Sequence, residues 1–228
     1  MKLILIGGGE IGRKGIYETE EIDKRIVKET NKENPTLLFI GLASSYSDSY
    51  YDTIKKNFQK LGCQTIYLKK KNIINNPNLV EEKFNKADII YIGGGDTIKL
   101  MEDIKNYQLE KYLKEKLEKE CIIVGISAGA ILLSKEGLSD SFILRGESTK
   151  YKMIKGLNYI DLSICPHFDK KKEKDLEEII KKEKKDIYAL EDNTALIINN
   201  KNIEYLKTNN KKIYHCYYKN ESIKKEEE

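Results

Sequence analysis

A serine flanked by small residues, Gly125-Ile126-Ser127-Ala128-Gly129, follows the apolar run Cys121 to Val124 and precedes the helix-compatible run Ala130 to Leu133. G-x-S-x-G in that context predicts a nucleophile elbow. The serine sits on a tight strand-to-helix turn, so only small residues fit two positions to either side. Its hydroxyl projects from the sheet edge, and the next backbone N–H and the helix N-terminus face developing negative charge. The plainer alternative is a glycine-rich turn with a capping serine. A serine hydroxyl is a weak nucleophile without a base, and the chain holds only 2 histidines, His167 and His215. His167 follows the apolar run Leu162 to Cys165, which predicts a place at a strand's C-terminal end, the edge at which Ser127 is expected. His215 lies inside the alternating run Ile213 to Tyr217, where a half-exposed strand histidine is the simpler reading. The base needs a carboxylate to fix its tautomer, and Asp140, Glu191 and Asp192 are candidates that residue type alone does not separate.

Two further glycine clusters follow apolar runs: Gly7-Gly8-Gly9 with Glu10-Ile11-Gly12, and Gly93-Gly94-Gly95 ahead of Asp96. The first matches G-x-G-x-x-G. A dinucleotide-binding unit, however, needs an acidic residue at the end of the second strand, and Thr36 to Ile40 runs instead into Gly41-Leu42-Ala43-Ser44. The second cluster can supply a backbone N–H beside that of Ala128 to an oxyanion hole.

Short apolar runs that alternate with longer amphipathic stretches must position these residues. Lys2 to Ile6, Thr36 to Ile40, Gln64 to Leu68, Asp88 to Ile92 and Cys121 to Val124 read as buried strands. Tyr17 to Thr30, Asp48 to Leu61, Asn78 to Phe84 and Asp96 to Glu118, the last as one helix or two, show helical spacing, with Asp48 and Asp96 as N-caps. This rhythm predicts an α/β fold with a parallel sheet covered by helices on both faces. After Ser127 the pattern predicts a helix to about residue 135, an irregular stretch to Leu157, a strand near Leu162 to Cys165 and a helix from about Lys170 to Lys185. Ile187 to Leu190, Ala195 to Ile198, Ile203 to Leu206 and Ile213 to Tyr218 read as hairpin strands at a sheet edge. No linker or repeat divides the chain, so one domain over residues 1–222 is expected, with a frayed tail over 223–228.

The 228 residues are 39% hydrophobic and 34% charged, with a formal net charge of +4, a balance that still allows a buried core. Nothing resembles a signal peptide or a membrane span, so a soluble cytoplasmic protein is expected. The 4 cysteines are scattered without zinc-like spacing, Cys165-Pro166-His167-Phe168-Asp169 alone is a weak metal pattern, and reduced thiols are expected. Lysines interleave with glutamates, and no basic stripe carries stacking aromatics, which argues against a nucleic-acid partner.

Taken together, Leu5-Ile6-Gly7-Gly8-Gly9-Glu10, Tyr91-Ile92-Gly93-Gly94-Gly95-Asp96-Thr97, Gly125 to Ala130, Cys165 to Asp169 and Glu191-Asp192-Asn193-Thr194-Ala195-Leu196 resemble the dipeptidase E and cyanophycinase family of serine peptidases. Order and spacing agree over about residues 1–200. The resemblance implies a class I glutamine amidotransferase-like fold, a flavodoxin-related three-layer sandwich with a mostly parallel central sheet. It implies Ser127 as nucleophile, His167 as base, Asp192 as acid, and an oxyanion hole from Gly94 or Gly95 with Ala128. Glu191 and Asp140 stay open as the acid. The implied activity is hydrolysis of short peptides, including dipeptides with N-terminal aspartate, without metal or cofactor. Its partner is a small peptide, with neither nucleic acid nor membrane, and a homodimer is allowed. Of Arg13, Arg25 and Arg145, Arg145 is the candidate to bind a substrate carboxylate. An esterase-like hydrolase or a noncatalytic binding protein of the same fold are the alternatives.

Overall fold

The computed structural model describes residues 1–12 and 15–228; Arg13 and Lys14 lie outside the described residues. Its first half alternates strand and helix: β1 (Lys2–Ile6), α1 (Glu20–Lys28), β2 (Thr36–Ile40), α2 (Ser47–Lys60), β3 (Gln64–Tyr67), α3 (Lys70–Asn75), α4 (Pro77–Lys86), β4 (Ile89–Ile92), α5 (Thr97–Asn106), α6 (Glu110–Leu117) and β5 (Ile122–Ile126). The second half runs α7 (Ala128–Leu133), β6 (Ser134–Ser139), α8 (Ser141–Leu144), β7 (Lys152–Lys155), β8 (Ile160–Cys165), α9 (Lys170–Glu183), β9 (Ile187–Leu190), β10 (Thr194–Asn199), β11 (Asn202–Lys207), β12 (Ile213–Lys219) and β13 (Ser222–Glu227).

The strands form a 7-stranded sheet, ordered β11-β10-β1-β5-β4-β2-β3, and a 6-stranded sheet, ordered β13-β12-β9-β8-β6-β7. In the first, β1, β5, β4, β2 and β3 are parallel, and β10 and β11 add an antiparallel edge. The inner parallel strands β1, β5, β4 and β2 are apolar along nearly their whole length because helices cover both faces, whereas β3, at the edge, is partly polar and exposed. On one face Ile22 and Ile26 of α1 and Tyr50, Ile54 and Phe58 of α2 recur at fourth positions and pack on Ile4, Phe39 and Tyr91. On the other, Leu100 and Ile104 of α5, Leu113 of α6 and the wholly buried α7 pack on Leu3, Leu38, Ile90 and Ile123. The expected layering is present.

The second sheet departs from the sequence reading. The helix after Ser127 ends at Leu133, and Ser134–Ser139, expected to be helical and then irregular, is strand β6 between β8 and β7. Its polarity hides it. Glu136 is buried but satisfied, its Oε1 accepting from Ser163 Oγ at 3.0 Å and pairing with Lys185 Nζ at 2.6 Å. Of the expected edge hairpins, only β10–β11 joins the first sheet; β9 and β12 go to the second. Residues 223–228 are not a frayed tail, for β13 pairs antiparallel with β12. Lys225 lies over the Tyr214 ring and pairs with Glu173 of α9, and Lys212 pairs with Glu227 at 2.6 Å, so a charged stretch is held by partners on the neighbouring strand and helix. The outer face of this sheet is covered by α9 through Leu176 and Ile180. Asp96 caps α5 as expected, whereas Asp48 falls in the first turn of α2 behind Tyr46 at the cap.

Among the described residues no helix is long and apolar enough to cross a membrane. The 4 cysteines are free and buried.

Candidate active site

The C-terminal ends of β1, β2, β4 and β5 lie along one edge of the first sheet, and each continues into a loop that reaches the same pocket. Ser127 occupies the turn between β5 and α7 with φ 55° and ψ −113°, a left-handed conformation that costs a non-glycine residue about 1–3 kcal/mol. The turn is locked on both sides: the Ser127 N–H donates to the Ile6 carbonyl at 3.0 Å, and the Ser127 carbonyl accepts from the Ile131 N–H at 3.0 Å. The flanking glycines explain the motif's spacing. A methyl group on Gly125 would overlap the Gly129 and Ala130 backbone, and one on Gly129 would overlap the Ile92 carbonyl, so β5 and α7 could not meet β4 this closely.

His167 and Asp192 arrive from the second sheet, not from the one that carries Ser127. His167 follows β8 and Asp192 follows β9. Backbone bonds across the seam hold them there: the His167 N–H donates to the Gly7 carbonyl at 2.9 Å and the Asn193 N–H to the Gly8 carbonyl at 2.9 Å, while within the second sheet the Phe168 N–H donates to the Leu190 carbonyl at 2.8 Å. Lys172, buried on α9, donates from Nζ to the Pro166 carbonyl at 2.7 Å and so fixes the residue before His167. The first glycine cluster thus lies under His167 and Asp192. A methyl group on Gly8, whose φ is +154°, would fall on Asp192 Oδ1 and the His167 ring.

Two distances define the site. His167 Nε2 is 2.9 Å from Ser127 Oγ, and His167 Nδ1 is 2.6 Å from Asp192 Oδ1. Burial pushes the Asp192 carboxyl up, but the hydrogen bond and charge of His167 outweigh it, and the net displacement is below the usual carboxylate value. Glu191, the neighbour of Asp192, turns away and accepts from the Lys212 N–H at 3.1 Å. The pocket holding Ser127 Oγ has a volume of about 240 Å³. Gly94 and Gly95 line it, and a methyl group on Gly94 would lie 3.1 Å from Ser127 Cβ. The Gly94 N–H donates to Tyr50 Oη at 3.3 Å, at the long end for a hydrogen bond. Ala128 opens α7, so its N–H has no partner within the helix.

Three residues weighed in the sequence take no part in the contacts of Ser127 with His167 and of His167 with Asp192. Arg145 Nε donates to Asp96 Oδ2 at 2.8 Å, and its guanidinium does not line the pocket. Asp140 lines the pocket but does not bond His167. His215 stacks between Tyr188 and Tyr217 on the second sheet, with ring centroids 4.8 and 4.9 Å away. The Cys165, His167, Asp169 trio is dispersed, because Asp169 caps α9 by accepting from the Lys171 and Lys172 N–H groups. Among the described residues no group of His, Cys, Asp and Glu is arranged to hold a metal. The sequence reading missed Lys172 and Tyr50. Neither belongs to a motif, and only the packing of distant elements brings them to the site.

A serine, a histidine and a carboxylate in these relative positions on an α/β scaffold are the arrangement that serine hydrolases use. The chain belongs to peptidase family S51, whose sequence profile matches residues 3–206. It is 30% identical over 174 residues to the uncharacterised peptidase YgaJ of Bacillus subtilis, covering 76% of this chain and 71% of that protein. It is 27% identical over 185 residues to the uncharacterised peptidase Lmo0363 of Listeria monocytogenes, covering 77% and 87%. Its fold matches the crystal structure of a peptidase E candidate from Listeria monocytogenes EGD-e with TM-score 0.68 and 21% identity, over 91% of this chain and 98% of that one. It also matches a peptidase from an acI-B1 Actinobacterium with TM-score 0.69 and 21% identity, over 94% and 89%. The protein is therefore a serine peptidase by family.

Proposed function

We propose that the protein hydrolyses short peptides through an acyl-enzyme on Ser127, with His167 as general base and Asp192 as the acid that orients it. The observation that carries this reading is the unbroken chain of contacts from Ser127 Oγ through both His167 nitrogens to Asp192, at 2.9 and 2.6 Å. Asp192 accepts from His167 Nδ1–H, which leaves Nε2 unprotonated to take the Ser127 proton as Oγ attacks the peptide carbonyl. The tetrahedral oxyanion receives the N–H groups of Ala128 and of Gly94 or Gly95, the Gly94 bond to Tyr50 being long enough to exchange. His167 then protonates the leaving amine, and water, deprotonated in its turn by His167, frees the acyl group.

The small pocket favours one residue of a short peptide over a folded chain. Dipeptides with N-terminal aspartate remain the specific expectation of the family resemblance. The feature meant to receive such a side chain is engaged elsewhere, since Arg145 pairs with Asp96. The test is release of free amino acids from Asp-Leu and Leu-Leu by the purified protein and by Ser127→Ala. Hydrolysis of either dipeptide that is lost by at least about 10³-fold in the variant supports the mechanism; hydrolysis that survives Ser127→Ala overturns it.

A further inference from the structure

The turn Ser139-Asp140-Ser141 between β6 and α8 is fastened to the start of α5 by buried hydroxyl groups. Ser139 Oγ lies 2.9 Å from Thr97 Oγ1 and 3.0 Å from Ser141 Oγ, and Ser141 Oγ accepts from the Thr97 N–H at 2.8 Å. The far end of α8 is fastened to the same place, because Arg145 is paired with Asp96, the residue that caps α5. A short segment tied at both ends holds its side chains in fixed positions. Two of them, Asp140 and Leu144, line the pocket that contains Ser127.

The Asp140 carboxylate makes no capping bond to α8, and among the described residues it has no hydrogen-bond or ion-pair partner. The role of acid to His167 is taken by Asp192. Among the described residues lining the pocket there is no lysine or arginine, and much of the remaining wall is Ile11, Ile126, Tyr50 and Leu144. Asn57 Nδ2 donates to the Ile11 carbonyl at 2.7 Å, which fixes that wall. A carboxylate without a described partner on the wall of a small pocket favours entry of a cation over entry of an anion.

We infer that Asp140 receives the protonated α-amino group of the substrate, and that the pocket takes an N-terminal residue with an uncharged side chain. The inference rests on Ser127 being the nucleophile. In a peptide the α-ammonium and the first carbonyl are attached to the same Cα, so a carboxylate sharing a pocket of about 240 Å³ with Ser127 Oγ can hold one while the serine attacks the other. The side chain on that Cα then meets Ile11, Ile126 and Leu144. An aspartyl side chain would bring a second carboxylate toward Asp140 with no described cation to offset it. Asp140 is thus a specificity-determining residue, and Arg145 a positioning residue that holds the segment carrying it.

The test reads occupancy of the pocket without needing the natural substrate. The rate at which a fluorophosphonate probe labels the full-length protein is measured against L-leucinamide, N-acetyl-L-leucinamide and the α-amide of L-aspartate. Labelling is located on the Ser127 peptide by mass spectrometry. The expected result is that leucinamide protects at concentrations about 10- to 100-fold lower than either of the other two, the range set by losing one charge-assisted hydrogen bond. In Asp140→Asn, with protection normalised to that variant's own unprotected rate, leucinamide and its acetylated form should come within about 3-fold of one another. Equal protection by the free and acetylated amides in the wild-type protein overturns the inference, as does protection by the aspartate amide equal to that by leucinamide. These wild-type arms decide even where the variant fails to fold. An unchanged preference in a folded Asp140→Asn overturns the role of Asp140 itself. Failure of the probe to label Ser127 removes the nucleophile and this inference together, an outcome distinct from labelling that is indifferent to the amine.

Discussion

Replacing Asp192 by asparagine separates catalysis from folding. The His167 Nδ1 to Asp192 Oδ1 contact is 2.6 Å, short for a neutral pair and characteristic of a charge-assisted bond. Asparagine keeps the shape but can present an N–H to Nδ1. The imidazole then carries its proton on Nε2, where it cannot accept one from Ser127. Such a tautomer reversal costs about 10⁴-fold in rate, equivalent to about 5 kcal/mol of transition-state stabilisation. The effect on stability is small by comparison, because both side chains are only about half buried, at 43% and 44% relative exposure, and solvent screens their interaction to about 1 kcal/mol or less. Its pH dependence has a definite sign. The Asp192 carboxyl sits below its usual value when folded, so what it contributes is present above the ordinary carboxylate range and is lost only as pH falls through the lowered value. At pH 7 the variant should therefore melt within a few degrees of wild type while its rate of Ser127 phosphonylation falls by about 10⁴. Glu191→Gln, which alters a side chain bonded to Lys212, should stay within about 3-fold of wild type. If Asp192→Asn keeps more than a tenth of the wild-type rate, or if Asp140→Asn falls as far as Asp192→Asn, the assignment of the acid is wrong.

Gly8→Ala should disturb the same pair from beneath, since the added methyl lands on Asp192 Oδ1 and the His167 ring. A displacement of about 1 Å at the base costs about 10²-fold in rate, and a phosphonylation rate equal to wild type would show that the loop does not support the histidine. Asp23 on α1 is fully buried, with Oδ2 accepting from Tyr17 Oη at 2.7 Å and Thr19 Oγ1 at 3.2 Å, and burial pushes its carboxyl up to about 7. A raised carboxylate value means that the folded state holds a proton the unfolded state has released. Stability should fall as pH rises from about 4 to 7 and then level, by up to about 4 kcal/mol. Asp23→Asn should flatten that slope in denaturant titrations at pH 5 and 8, and an undiminished slope would place its origin elsewhere.

Much of the site was legible because its chemistry is carried by local spacing. The elbow around Ser127 is a contiguous pattern whose glycines are demanded by the contact of β5 with α7 and of α7 with β4. His167 was legible by scarcity, as one of 2 histidines beside an apolar strand. The four inner parallel strands, β1, β5, β4 and β2, were legible because strands covered on both faces are continuously apolar. β6 and β13 were not. Their charged residues are satisfied by Ser163, Lys185, Glu173 and Lys212, partners that no window of sequence contains.

By itself, then, the sequence determined which side chains could react and which edge of the parallel sheet would carry Ser127, since both follow from short-range sterics and hydrophobic period. Residue type alone did not separate Asp140, Glu191 and Asp192 as acids, the family resemblance pointed to Asp192 with the other two left open, and Arg145 was an eligible substrate ligand. Only the tertiary structure separated them. Ser127 and the His167–Asp192 pair stand on different sheets, and their register is set by the bonds of His167 and Asn193 to the backbone of Gly7 and Gly8. That seam turns Asp192 toward the imidazole and leaves Glu191 with Lys212. The clamp of α8 on α5 commits Arg145 to Asp96 and presents Asp140 to the pocket. Contacts between residues so distant in the chain depend on how the two sheets pack, and no local pattern encodes that.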